Sequence, residues 1–294
     1  VPDGGVPTLG LPGYLSPDAG RSYITAAPKV RSRNFYGTSS DFDDVKADML
    51  TARVEHDITS DMTVRNTTRI GKTSQDYYLT AFMGSSANLR TPNPNDLSTW
   101  TIARSNPTNK DQENKIITNQ TNLTAKFNTG SVKHSFSTGL ELTREEQSNN
   151  NFFAAGAIPG VVALPAANLY SPSSNIAAFN RAQNGTGNKG TTDTVGLYAF
   201  DTITLSPSWL INAGVRYDHY STDYDATTRT GTGPITATSL STSGDLWSGQ
   251  LGLIYKPTEN GSIYASYGTS AQPPGGSNFS LAASAKKPNP PHFR

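Results

Sequence analysis

"WLINAGVRYDHYSTDY", residues 209–224, decides how the rest of the chain is read. Trp209, Ile211, Ala213, Val215 and Tyr217 fall in one file, and Asn212, Gly214, Arg216 and Asp218 in the other. Successive side chains of a strand point to opposite faces, so this alternation describes a strand with one apolar and one polar face. A soluble sandwich and a membrane barrel share that pattern but place opposite files inside. The alternation recurs at 47–57, 62–73, 115–128, 132–145, 246–256 and 261–270. The stretch "TVGLYAFDTITL" (194–205) is apolar in both phases, and its faces stay unassigned. The total is about eight strands, most near the ~9–11 residues that a tilted membrane strand needs.

The connections separate the two architectures. Residues 57–61, 128–131, 206–208 and 257–260 read as tight turns, whereas 75–114, 147–191 and 225–245 read as long irregular stretches. Every second connection is long, so the long loops leave one rim and the tight turns the other. Transmembrane barrels have this asymmetry, with short periplasmic turns and long extracellular loops. In a barrel the polar file, with Arg53 beside Glu55 and Arg216 beside Asp218, faces a wet lumen, and the apolar file faces outer-membrane lipid. Trp209 and Tyr217 bracket the apolar file, and Trp247 and Tyr255 repeat the spacing on the next strand. Eight residues of tilted strand span roughly 20 Å, close to the ~25 Å lipid-facing band with its aromatic girdles.

Composition agrees. Hydrophobic residues make up 34% of the 294 and the mean hydropathy is −0.49, low for a protein with a large dry core. Gly (26) and Pro (19) suit strands joined by irregular loops. With 24 Lys+Arg against 23 Asp+Glu the net charge is +1, so no field points to nucleic acid. Cysteine is absent, which excludes disulfides, thiol catalysis and cysteine metal sites. No apolar run is long enough to cross a bilayer as a helix; "FFAAGAIPGVVALPAANLY" (152–170) is broken by Pro159 and Pro165 and reads as a loop packed on itself.

Chain organisation adds an expectation. Residues 1–46 read as an extracellular loop region, 47–270 as barrel strands and loops, and 271–294 as the truncated start of another extracellular loop. The first and last strands then both have their outer ends at the long-loop rim, which suggests an internal segment of a larger barrel.

"VPDGGVPTLGLPGY" (1–14), "RNFYGTSSDFDDV" (33–45), "RNTTRIGKTSQDYYLTAFMG" (65–84), "NKIITNQTNLTAKFNTGSVKHSFSTGLELTRE" (114–145) and "SYGTSAQPPGGSNFSLA" (266–282) resemble TonB-dependent outer-membrane siderophore receptors, in their Fiu-like catecholate-siderophore branch. The resemblance implies a barrel of about 22 strands in the bacterial outer membrane. It also implies a plug domain, import of ferric siderophores, and energy relayed by TonB, ExbB and ExbD. The plug, its TonB-contacting box and the C-terminal strand of that pattern are not in this sequence. The segment by itself is therefore expected not to transport. A small passive outer-membrane barrel, acting as a pore or structural protein, is the alternative; a secreted all-β adhesin with a dry core is a third reading.

No catalytic constellation stands out, and no cofactor is expected beyond the transported ferric siderophore. The four histidines are scattered, without metal-ligand spacing. "SDFDDVKAD" (40–48) is acidic but lacks a calcium-loop pattern and reads as a solvated loop. A ferric tris-catecholate is a trianion edged by aromatic rings, so its receptor needs cations and stacking faces. The long-loop rim offers Arg33, Phe35, Tyr36, Tyr77, Tyr78, Trp100, Arg104, Tyr220 and Tyr224. Arg33, Tyr36, Tyr77, Trp100 and Arg104 are the leading candidates.

Overall fold

The computed structural model describes residues 20–80, 88–104, 107–154, 156–161, 163–176, 181–273, 280–282 and 292–293. Residues 1–19 of the expected N-terminal loop region, and 274–279, 283–291 and 294 of the expected C-terminal loop, lie outside the described residues.

Eight long strands make one antiparallel sheet: β1 (Phe42–Thr59), β2 (Met62–Leu79), β5 (Thr108–Thr129), β6 (Val132–Phe152), β8 (Gln183–Ser206), β9 (Trp209–Thr228), β10 (Thr236–Thr258) and β11 (Gly261–Ser270). Three two-residue strands, β3 (Leu89–Arg90), β4 (Thr101–Ile102) and β7 (Ala167–Asn168), form a second sheet. A last pair, β12 (His292–Phe293), adds to β11. The order β1-β2-β5-β6-β8-β9-β10-β11-β12 follows the chain, and β1 pairs only with β2. The described sheet is thus open, unlike a complete small barrel.

The tight turns sit where the alternation broke, at residues 60–61, 130–131, 207–208 and 259–260. Gly130 takes φ 63°, a left-handed conformation that costs glycine nothing. At the other rim the strands exceed expectation. They run to 18–24 residues except for β11, and the connections shrink to 80–107, 153–182 and 229–235. The expected long loop at 225–245 is mostly strand. "TATSLSTSGD" (236–245) hides its pairing because both its faces are polar, which leaves no period-2 contrast to read. Cross-strand bonds hold it instead, such as Ser239 Oγ to Asp225 Oδ1 at 2.6 Å. Likewise β1 opens at Phe42 rather than at 47, with Phe42–Lys46 paired against Tyr78–Ser74.

Register assigns every face. Ile70 pairs with Leu50 and Ile117, Leu140 with Leu197, and Leu197 with Tyr217; Val215 and Leu251 continue the same file into β9 and β10. These apolar side chains stand uncovered, with Leu50 69%, Val215 46% and Leu251 60% exposed, so among the described residues no dry core lies between two sheets. The ambiguous 194–205 stretch resolves by its neighbours: Val195 and Leu197 join the apolar face, and Gly196, Tyr198 and Phe200 the polar one. The aromatic brackets pair across strands, Trp209 with Tyr255 at 4.5 Å between ring centroids and Tyr217 with Trp247 at 5.0 Å. They mark the two borders of the apolar belt.

The polar face is cross-linked by hydrogen bonds. Arg216 on β9 reaches over Gly196 of β8 to Glu141 of β6, at 2.9 Å, while chelating Asp218. Arg65 pairs with Glu55 at 2.5 Å and shares that face, and Tyr198 Oη accepts from Gln120 and Asn122, each at 3.0 Å.

Candidate ligand-receiving site at the long-loop rim

The apolar core of the described residues is built by loops. Ile24, Val30, Tyr36, Leu89, Trp100, Ile102, Ala167 and Leu169 form one buried cluster, drawn from three separate loop segments. The β3-β4-β7 sheet ties two of those segments together, through Leu89 opposite Ile102 and Thr101 opposite Asn168. The segment 152–170 therefore does pack as a loop, contributing Val161, Ala167 and Leu169 to buried positions.

Polar groups lock this platform. The Trp100 indole donates to Asn93 O at 2.9 Å, and its ring meets Tyr23 and Tyr170 at 5.8 and 6.2 Å. The Tyr36 hydroxyl donates to Leu169 O at 2.6 Å. Arg104 spreads its guanidinium over three carbonyls: Tyr36 O at 2.5 Å, Pro165 O at 2.8 Å and Ser173 O at 2.6 Å. Burial pushes the Tyr36 phenol above its ordinary range and holds the Arg104 guanidinium below its own. Asp41 fastens the platform to the end of β2, accepting from the Thr80 amide at 3.1 Å and the Thr80 hydroxyl at 2.9 Å.

The expected site residues therefore separate. Tyr36, Trp100 and Arg104, expected to face a vestibule, are at most 8% exposed and belong to the platform interior. The physical reason is satisfaction: the buried Arg104 guanidinium needs acceptors and takes three backbone carbonyls, of which Tyr36 O is buried with it. Arg33 is exposed on the platform surface and Phe35 half-buried beside it. Tyr77 is half-buried on the polar face of β2, between Asp43 and Lys110, whereas Tyr78 is buried on the opposite face. Tyr220 and Tyr224 also lie on the polar face, Tyr220 buried against Gly244 and Tyr224 half-buried.

Two features escaped the sequence reading. Arg31 and Arg90 are exposed on the same platform as Arg33. A ladder of amides also runs across the polar face near the rim. Asn114 Oδ1 accepts from Gln112 at 3.0 Å and Gln147 at 2.9 Å, and Asn149 donates to Asn188 at 2.9 Å. Its signal, amides two residues apart on each strand, lay inside stretches read as loops. Other arginines at this rim are committed: Arg181 to Asp76 and the Phe152 ring, and Arg229 to the carbonyls of Asn184 and Gly233. Among the described residues no group of three His, Asp or Glu side chains is arranged to hold a metal.

A wide antiparallel sheet with an uncovered apolar belt, a hydrogen-bonded polar face and a folded loop platform at one rim is the wall of an outer-membrane receptor barrel. The chain belongs to the TonB dependent receptor-like, beta-barrel family, whose model matches residues 3–291. It is 46% identical, over 97% of its length, to the catecholate siderophore receptor Fiu of Escherichia coli K12, and it spans 38% of that relative. The crystal structure of the ferric-catecholate import receptor Fiu from the same strain, in its closed form, superposes with a TM-score of 0.86 at 44% identity, covering 97% of this chain and 41% of the other. The siderophore receptor PiuA of Acinetobacter baumannii superposes with a TM-score of 0.65 at 25% identity, over 81% of this chain and 34% of the other. The apolar face is therefore the lipid face in the outer membrane, and the polar face lines the barrel interior.

Proposed function

We propose that this chain supplies part of the barrel wall and the outer mouth of a receptor that imports ferric catecholate siderophores. Transport would be driven by TonB with ExbB and ExbD, and carried out by a whole receptor of the relatives' length. One observation supports the substrate class most directly: a platform whose buried Tyr36, Trp100 and Arg104 bond inward still presents Arg31, Arg33 and Arg90 outward. A trianion with aromatic edges is held by such cations, with the ring faces of Tyr77 and Tyr224 on the wall below as stacking partners.

In this reading Arg33 and Tyr77 contact the ligand, and Tyr36, Trp100 and Arg104 act by keeping the platform folded. Each outward arginine contributes about 0.5–2 kcal/mol, a few-fold to about thirtyfold in affinity. The test is ferric-catecholate binding to the full-length receptor carrying Arg31→Ala, Arg33→Ala or Arg90→Ala, at low and high salt. Weaker binding with a flatter salt dependence is expected. Unchanged low-salt affinity in all three variants removes the platform from the site, and preference for a neutral or cationic siderophore removes the substrate class.

A further inference from the structure

The upper end of the polar face holds a cavity whose chemistry differs from that of the arginine platform. Asn151 of β6 and Thr186 of β8 continue the interior file of Asn149 and Asn188. They lie beyond the level at which Arg144 and Asp193 end the apolar belt of the other face, so they stand clear of the lipid belt. The register shifts here: β8 advances four positions, Gln183 to Gly187, while β6 advances two, Asn150 to Phe152. Gly185, at φ 74°, sits inside this bulge, which bends β8. Beside the bulge opens a cavity of about 500 Å³, lined by Asn109, Asn151, Phe153, Asn184, Thr186 and Thr228 among others.

Among the described residues no carboxylate lines this cavity. Its cation, Arg229, is committed to the carbonyls of Asn184, Thr232 and Gly233 at 2.9, 3.3 and 2.8 Å, and its guanidinium stands over the Phe153 ring at 5.6 Å. The polar side chains hold one another in place. Asn184 Oδ1 accepts from the Thr186 amide at 2.9 Å and the Thr186 hydroxyl at 2.7 Å, and Asn151 Nδ2 donates to Thr186 Oγ1 at 3.2 Å. Arg181 fixes Asn109 in the same way, donating to its Oδ1 at 3.1 Å. Two groups stay open among the described residues: the carbonyl oxygen of the Asn151 amide and the Thr228 hydroxyl, both on exposed side chains. The neutral character continues down the interior wall, through Gln112, Asn149 and Asn188 and then Asn114 and Gln147. Three rows below the cavity comes Thr192, its hydroxyl 2.9 Å from that of Thr222, with the carboxylate of Glu145 alongside on β6.

A trianion is not held by such a lining, because its cation is already satisfied and amides and hydroxyls carry no charge to offset. We infer that the cavity is a subsite for a neutral polyhydroxylated ring, a pyranose, carried by the ligand. A sugar hydroxyl donates and accepts at once, which suits an amide oxygen next to a threonine hydroxyl. The Phe153 ring supplies an apolar surface for the C–H face of the sugar, and the locked amides give the few fixed polar contacts that orient a ligand in a pocket. That the sugar belongs to a ferric catecholate rests on the function proposed above; that the cavity takes a sugar does not.

The test uses the purified full-length receptor in a detergent without a sugar headgroup. Two ferric tris-catecholates, identical except for hexosyl groups on the rings, are titrated against the parent and against the near-isosteric variants Asn151→Leu and Thr228→Val. The parent should bind the hexosylated complex about fivefold more tightly or better, the gain of one or two net hydrogen bonds. Each variant should lose most of that preference while binding the plain complex as the parent does, which separates loss of the subsite from loss of folding. Saturation-transfer NMR with a free methyl hexoside, at millimolar concentration and with no iron complex present, reads the cavity directly. Transfer is expected with the parent and should fade in both variants. Equal affinity of the parent for the two complexes, or hexoside transfer that both variants retain, overturns the subsite and leaves the catecholate reading standing. Failure of both ferric complexes to bind, with hexoside transfer intact and lost in the variants, overturns the catecholate reading and keeps the sugar site. Stronger transfer to an N-acetylated dipeptide amide than to the hexoside would assign the cavity to a peptide instead.

Discussion

Arg104 shows how one side chain can look like a ligand-binding residue and serve the fold. Its three bonds join the Tyr36, Pro165 and Ser173 carbonyls, so it ties together segments far apart in the chain. Hydrogen bonds to charged groups contribute ~1.5–3 kcal/mol each, and a buried carbonyl left unpaired costs a further ~1–3 kcal/mol. Arg104→Ala in the full-length receptor should therefore loosen the platform by at least about 3 kcal/mol, seen as rapid limited proteolysis within 20–41 and 153–176. Arg104→Lys should restore little, because an ammonium lacks the planar fork that serves three acceptors. Arg33→Ala should leave the proteolytic pattern unchanged while weakening ligand capture. If Arg104→Ala digests like the parent, the platform does not depend on this residue.

At the scale of the element, face decides what a substitution does. Leu251 and Gln250 are neighbours on β10, one on the apolar belt and one on the polar face with Gly214 and Gly268. Leu251→Arg should destabilise the full-length barrel by about 2–4 kcal/mol, as for a cation near the bilayer midplane, and Gln250→Arg by much less. Equal effects in chemical unfolding from lipid vesicles would refute the face assignment. Strand β8 offers a second test on its polar side. A side chain at Gly196 would place its Cβ 2.5 Å from the Arg216 guanidinium and 2.6 Å from Asp218, in the path of the bridge from β9 to β6. Gly196→Leu should break the Arg216–Glu141 pair and cost about 1.5–3 kcal/mol. Once the glycine is replaced, Glu141→Gln should add little, because the pair it weakens is already gone.

At the scale of the whole molecule, the open sheet sets a limit on what these residues do by themselves. Strand β1 has a partner on one side, and β11 meets only the short β12 beyond β10. Backbone groups left unpaired within a bilayer cost several kcal/mol each, so a membrane sheet is stable when closed. The 294-residue chain expressed alone should aggregate and show no heat-modifiable mobility in detergent gels. A folded, heat-modifiable band would instead mean that these strands close on themselves.

The sequence by itself determined the wall. Alternation, tight turns every second connection and Trp/Tyr pairs eight residues apart all reflect local geometry: a strand's two-residue period and a bilayer of constant thickness. These survive in one dimension, and residues 209–224 already contained the alternation and one of the Trp/Tyr pairs. The sequence understated the strands above the belt, because where both faces are wet the apolar contrast disappears and only cross-strand partners reveal pairing, as in 236–245. It also left 194–205 unassigned until Tyr217 and Arg216 stood opposite its two files. The candidate site was legible as a set of residue types at the right rim but not as a geometry. Whether Arg33 points outward and Arg104 inward depends on loop segments more than a hundred residues apart meeting in one core. Only the tertiary structure decided that, since burial and hydrogen-bond satisfaction belong to the assembled platform and leave no period in the chain.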